Sequence, residues 1–408
     1  MSKLSQVSVY IAVLIALLSA KPWFIWGYSY VEIIVLFLFI ISRLFIMNKK
    51  ILKRDGIPTL FCVILSLYIY VLNAPDIDTA FSQTCTQIIP LCLFIQFNGN
   101  EKKIFIETFT TLFSIILLVS LCSFILFHLG FSVPYTRLSH TDAHYSEFYN
   151  YYTFIIDGHL GIFTRFRSIF TEPGHVGMFA AILMYVNNFK MKKWKLIVLL
   201  VSIIWSFSLA AYILIILGFV LYSVLGKKIK TGMLLAPILL LVGYALVNSY
   251  YRKNPDSLFS KLIISRLEIK ENGKMAGNNR HTSEFMAYYN KFEITPDYIT
   301  GLGSSRYAQL KFLSGNASYK NYILEHGVLG IVLLIAFGVS FLKPYYSPRY
   351  LGLFILYFAA FLQRPYALWE VESFLYVAYS CNVIGLKYNY IVRKELVCSS
   401  INSYNEYK

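Results

Sequence analysis

Residues 104–129 read IFIETFTTLFSIILLVSLCSFILFHL, with Glu107 the only carboxylate. A helix rises about 1.5 Å per residue and a bilayer core is about 30 Å thick, so roughly 20 apolar residues cross it. This stretch is long enough. Similar runs lie at 4–20, 30–47, 57–73, 80–97, 172–189, 318–342, 349–363 and 372–390, with a further run at 231–248. The run over 194–226 is too long for one crossing and predicts two short ones, turning near Ser208, Ala210 and Ala211. The backbone finds no water inside a bilayer, so spanning segments of this length must be helices. The expected fold is all-α, a single polytopic membrane domain over 1–408 with about 12 transmembrane helices.

Composition agrees. Of 408 residues, 57% are hydrophobic and only 14% charged, whereas a soluble domain carries roughly a quarter charged residues. The first run is read as a retained span. A single lysine precedes it, and Lys21-Pro22-Trp23 follows it in place of a small-residue cleavage site.

Lysine and arginine then set the orientation, because they accumulate in cytoplasmic loops. With the N-terminus inside, the inner loops hold Lys49, Lys50, Lys53 and Arg54, then Lys102 and Lys103, then Lys190, Lys192, Lys193 and Lys195. Further along come Lys227, Lys228 and Lys230, then Lys343 and Arg349; the tail adds Lys387, Arg393 and Lys394. The short outer loops hold only Lys21 and Arg364. The net charge of +16 is therefore a topology signal and is no evidence for nucleic acid as a partner. Both long segments, 130–171 and 249–317, fall outside.

Chemistry is expected on that outer face. All seven histidines lie outside or in the outer half of a span, and long loops with structure of their own usually carry function. This argues against cytosolic ATP or sugar nucleotides as direct reactants. Five cysteines lie in spans and Cys398 in the inner tail, so no outer disulfide is expected.

The first outer segment ends Arg165-Phe166-Arg167-Ser168-Ile169-Phe170-Thr171-Glu172-Pro173-Gly174-His175. Pro173 suits a first helical turn and Glu172 complements the helix dipole. The same residues place arginines, an acid and a histidine at the mouth of a span, where arginine can hold phosphate bidentately. In the large loop, 258–269 reads as an amphipathic surface helix carrying Lys261 and Arg266, and Thr282 to Ile294 as a second helix. Arg280 and His281 precede that second helix, and Gly301-Leu302-Gly303 forms a tight turn after it. The plain reading of Arg266 and Arg280 is a solvated or snorkelling cation. The next span opens from Asn316 to Gly330, placing Glu325 and His326 about 10 Å below its start and on one broad face with Tyr322. An ionisable group at that depth is a candidate by default, and an inter-helix ion pair is the plainer alternative.

Two metal patterns carry less weight. Asp76-Ile77-Asp78 lies in a very short loop, where a solvated turn suffices, and His140-Thr141-Asp142-Ala143-His144 could ligate zinc only if extended. No metal and no cofactor are expected.

The stretch RSIFTEPGH, an arginine opening the loop's second helix, GLG, and NASYKNYILEHGVLG together resemble the O-antigen polymerase and ligase superfamily. The likeness is diagnostic over about 165–190 and 266–330. It implies a GT-C-like all-helical architecture in a bacterial inner membrane and metal-independent glycan transfer on the outer face. The implied donor and acceptor are undecaprenyl-diphosphate-linked glycans, with a chain-length regulator and a flippase as partners besides membrane lipid. Arg167, Glu172, Arg280, Gly301, Gly303, Tyr322, Glu325 and Gly327 match the pattern. Ligase members carry a histidine about nine residues before that glutamate. Asn316 stands there instead, which favours a polymerase.

The expected mechanism has Arg167, Arg266 and Arg280 grip the diphosphate, while Glu172, Glu325 or His281 deprotonates the acceptor hydroxyl. Tyr149, Tyr151, Tyr152, Tyr288 and Tyr289 are candidates to stack on sugars. A ligase, or a transporter moving the same lipid-linked units, is the alternative.

Overall fold

The computed structural model describes residues 2–46, 53–139, 147–157, 164–225, 281–310, 318–365 and 369–382. The predicted span at 231–248, the predicted helix at 258–269, the His140–His144 pattern and Arg266, Arg280 and Asn316 lie outside them. The described chain is mostly helical. Its helices are α1 Lys3–Ser19, α2 Ser29–Ile46, α3 Gly56–Ser66, α4 Ile77–Gln83, α5 Ile89–Ile95, α6 Gly99–His128, α7 Pro173–Val186 and α8 Lys193–Trp205. They continue with α9 Leu209–Val224, α10 Ser283–Phe292, α11 Asp297–Thr300, α12 Gly303–Ala308, α13 Tyr319–Tyr345, α14 Pro348–Gln363 and α15 Glu370–Ala378. Two of these, α6 and α13, are long and apolar enough to cross a membrane, a coarse sign of membrane association.

Local chemistry sets the helix ends. Asn98 and Glu101 form a reciprocal capping box at the start of α6, their side chains accepting from each other's backbone N–H at 3.0 and 2.8 Å. Ser208 caps α9 by accepting from Ala211 N at 3.4 Å, so the 194–226 run divides where the sequence predicts. Thr282 caps α10, accepting from Phe285 N at 3.1 Å, and Pro173 occupies the first turn of α7.

Three runs are less regular than expected. Residues Leu67–Leu72 and Thr84–Ile88 wind as wider π turns, so 57–73 and 80–97 are not uniform α-helices. Within α13, Gly327 leaves helical geometry altogether at φ 67°, ψ 179°. The all-α expectation also needs a correction. Thr136–Ser139, Glu147–Asn150 and Ile155–Asp157 form strands β1, β2 and β3 of an antiparallel sheet in that order. Strands of three or four residues show too little alternation to read from sequence.

Helix α7 lies at the centre, with all of its residues buried, as its uniformly apolar surface requires. It packs on α8, α9, α14 and α15. Gly177 permits the close approach to α9, since a methyl there would sit 2.4 Å from Ala211 Cβ. By contrast α2 leaves Ile33, Ile34, Phe37, Leu38, Leu44 and Phe45 exposed along one side. A smaller apolar cluster of Phe285, Tyr289, Phe292, Ile323 and Leu324 joins α10 to the start of α13.

Candidate functional site

The segment before α7 is threaded into the core. Phe166 and Phe170 are fully buried. Phe166 N donates to Trp205 O, Trp23 N to Ile169 O and Ile155 N to Ser168 O, each at 2.9 Å. Ser168 is held at φ 52°, an uncommon conformation for a non-glycine residue, while its hydroxyl meets that of Ser120 at 2.7 Å. Arg167 is therefore not an open cation at a mouth. It is 5% exposed, donates to Thr171 O at 2.9 Å, lies 3.8 Å from Asp157 and crosses the Phe148 ring.

Glu172 forms an ion pair with Arg364, the residue that ends α14. The two side chains keep 13% and 16% exposure, enough to be reached from outside the core. Arg364 lies across the first turn of α7, and a methyl at Gly174 would stand 2.8 Å from its Nη2. Glycine leaves the guanidinium that space. Arg364 Nη1 is also 3.5 Å from His175 Nε2, and the His175 ring packs edge-on against Trp369 at 5.2 Å.

Glu372 completes this group from the first turn of α15. It is 1% exposed, and neither carboxylate oxygen has a hydrogen-bond partner among the described residues. The charge of Arg364 acts on it. A buried carboxylate left in this way is costly, which makes it a candidate functional group. Sequence reasoning passed over Arg364 and Glu372, although both carried a signal. Arg364 is one of two cations in the short outer loops, and Trp369-Glu370-Val371-Glu372 places two carboxylates at the opening of a predicted span.

Glu325 belongs to a second group, built on two glycines. Gly301 (φ 84°) ends α11 and Gly327 (φ 67°) breaks α13. A methyl on Gly301 would lie 2.3 Å from Glu325 O, and one on Gly327 would lie 2.2 Å from Ile299 O. The two backbones thus meet directly. Leu302 N donates to Leu324 O at 2.9 Å. Tyr68 bridges them, its hydroxyl 2.7 Å from Thr300 O and 3.0 Å from His326 O. The Glu325 carboxylate accepts from Ser304 Oγ at 2.7 Å and lies 3.7 Å from His326. A methyl on Gly303 would meet nothing closer than Asn73 at 3.8 Å. Arg306 donates to both Asp297 oxygens at 2.8 and 3.1 Å, closing the glycine turn and holding that carboxyl below its ordinary range.

His281 stands at the start of α13, its Nε2 2.8 Å from Ser318 Oγ and its ring stacked on Phe285. Tyr322 packs edge-on against His326 at 4.8 Å. Of the tyrosines named for sugars, Tyr289 is buried in the core and Tyr151 stacks on Phe154, whereas Tyr152 is exposed. Asp76 is committed to capping α4, accepting from Thr79 N at 2.7 Å.

The Arg364 group unites an arginine, two carboxylates and an imidazole drawn from α7, α14 and α15. It can hold an anion on the guanidinium and exchange a proton through a carboxylate. Comparison with family models, with curated proteins and with solved structures returns no match.

Proposed function

We propose that the chain is a glycosyltransferase of about twelve spans in a bacterial inner membrane, with a GT-C-like architecture and both termini in the cytoplasm. It joins undecaprenyl-diphosphate-linked repeat units into a surface polysaccharide on the outer face. The motif resemblance suggests that chemistry. The observation that carries the reading on to these residues is the Glu172–Arg364 pair together with Glu372, whose oxygens have no hydrogen-bond partner among the described residues.

In this reading a diphosphate oxygen of the donor displaces Glu172 from Arg364, which then stabilises the leaving group's charge. The freed Glu172 carboxylate takes the acceptor hydroxyl proton. The acceptor oxygen bonds the donor's anomeric carbon as the bond from that carbon to the phosphate oxygen breaks. The lipid diphosphate leaves with the electron pair. Glu372 keeps Arg364 in place while Glu172 is released. Arg167 braces the segment before α7 in place of gripping phosphate, and Arg266 and Arg280 remain proposed contacts to the second phosphate. Glu325 and the Gly301–Gly327 contact hold the glycine turn against the start of α13.

A transporter reading draws on buried ionisable groups near the proposed cytoplasmic end. Arg43 and Glu101 pair at 2.9 Å with almost no exposure, and Lys102 and Asp55 are fully buried. A gene deletion examined for surface glycan separates the readings. Single-repeat products support the polymerase. Full-length chains left on the lipid carrier mean a ligase, and units trapped in the inner leaflet mean a transporter. Glu172→Gln, at matched protein level, should turn over about 10²–10⁴-fold slower; near-normal turnover removes it from the site.

A further inference from the structure

A cavity of about 280 Å³ lies between α1, α2, the Thr84–Ile88 turn and the start of α15. Its apolar walls include Ile15, Leu18, Ile33 and Leu36. Its charged groups are Lys21, Glu32 and Glu370. Ser19 Oγ accepts from Val371 N at 3.2 Å, which fastens α15 to α1 at the cavity's edge and gives it a fixed shape. Trp369 lines it as well, while also packing on His175 of the Arg364 group.

The charges balance only if one of the two acids is protonated. Lys21 Nζ lies 3.6 Å from Glu32 Oε2, and its side chain is 59% exposed. The other oxygen of Glu32 is buried with no hydrogen-bond partner among the described residues. Glu370 is 5% exposed. Each acid opens a helix, where the dipole favours it. The dipole accounts for an acid at that position. It does not account for lining a cavity with two carboxylates and one lysine that is mostly in solvent. Buried acceptors want donors, and buried negative charge wants a cation. An anionic ligand would add to the excess. A neutral one would fill hydrogen bonds and leave the charge.

We propose that this cavity binds a primary ammonium group between Glu32 and Glu370, carried on a small polar body such as an amino sugar residue or an aminophospholipid headgroup. The apolar walls hold the body, and Lys21 yields its place at Glu32. The inference stands on the cavity alone and does not depend on the polymerase reading.

The test uses the full chain purified in dodecyl maltoside, with binding followed by tryptophan fluorescence. Probes are glucosamine against N-acetylglucosamine, and dihexanoyl phosphatidylethanolamine against dihexanoyl phosphatidylcholine. At least one amine should bind about tenfold or more tighter than its blocked counterpart, as expected for hydrogen bonds to charged groups. Glu370→Gln should lose about tenfold of that affinity, and Lys21→Gln should keep or tighten it. Preference for glucosamine alone identifies a sugar, and preference for the ethanolamine lipid alone identifies a headgroup. Equal binding of amines and blocked analogues overturns the proposal, as does wild-type affinity in Glu370→Gln. Should Glu370→Gln fail to fold, Lys21→Gln decides, because loss of binding there would mean an anion site.

Discussion

Glu372 offers a test in which stability and activity should move in opposite directions. The side chain is 1% exposed, and neither oxygen has a hydrogen-bond partner among the described residues. The cation it feels, Arg364, is already paired with Glu172. An unsatisfied buried polar group costs about 1–3 kcal/mol, and an ionised carboxylate costs more. Glu372→Met keeps the length and removes both oxygens, so it should raise stability by about 1–3 kcal/mol. At roughly 2–4 °C per kcal/mol for a large domain, this is a rise of a few degrees in Tm. If Glu372 keeps Arg364 aimed at phosphate, its loss should cost about 10²-fold in turnover, the scale of a 1 Å misplacement. Glu372→Gln should be close to neutral in stability and similarly slow. Melting would be followed in detergent, and glycan polymerisation in a deletion strain at matched protein level. A fall in Tm with activity per molecule preserved would refute the reasoning, because Glu372 would then be an ordinary structural partner.

Gly301→Ala and Gly327→Ala should each destabilise by on the order of 2–6 kcal/mol, combining backbone strain with overpacking, because their methyls would strike backbone at 2.3 and 2.2 Å. Gly303→Ala, whose methyl would meet nothing closer than 3.8 Å, should cost only about 1–2 kcal/mol; equal losses in melting would contradict the packed-glycine account. Arg364→Lys keeps the charge but loses the planar fork, so turnover should fall while protein level holds, and full activity would leave Arg364 only a structural partner of Glu172. For topology, in a chain with its six cysteines replaced by serine, a cysteine at Ser139 or Lys274 should react with an impermeant thiol reagent in permeabilised-envelope cells. One at Lys192 should not, and the reverse pattern would overturn the outer-face assignment.

Much of the helical layout was legible along the chain, because apolar runs, caps and prolines act within a few residues of each other. Ser208 divides the long run at 194–226, Thr282 opens α10 and Pro173 opens α7 for reasons visible locally. Glycine at 301 announced a turn. Nothing local announced that this turn would press on a break at Gly327, since that contact exists only when the two backbones are docked. The short sheet of 136–157 was illegible because its strands are too brief to show a period. The site divides in the same way. Candidate acids and arginines stood out by type, but their partners did not: Glu172 pairs with Arg364, far along the chain. Arg364 and His175 are 189 positions apart in the chain, and Glu372 stands out through burial without a partner. Patterning and capping are short-range and so are written in the sequence. Which charges meet, and which are left alone in the core, is decided by helix packing, because both depend on what distant segments bring to the same place.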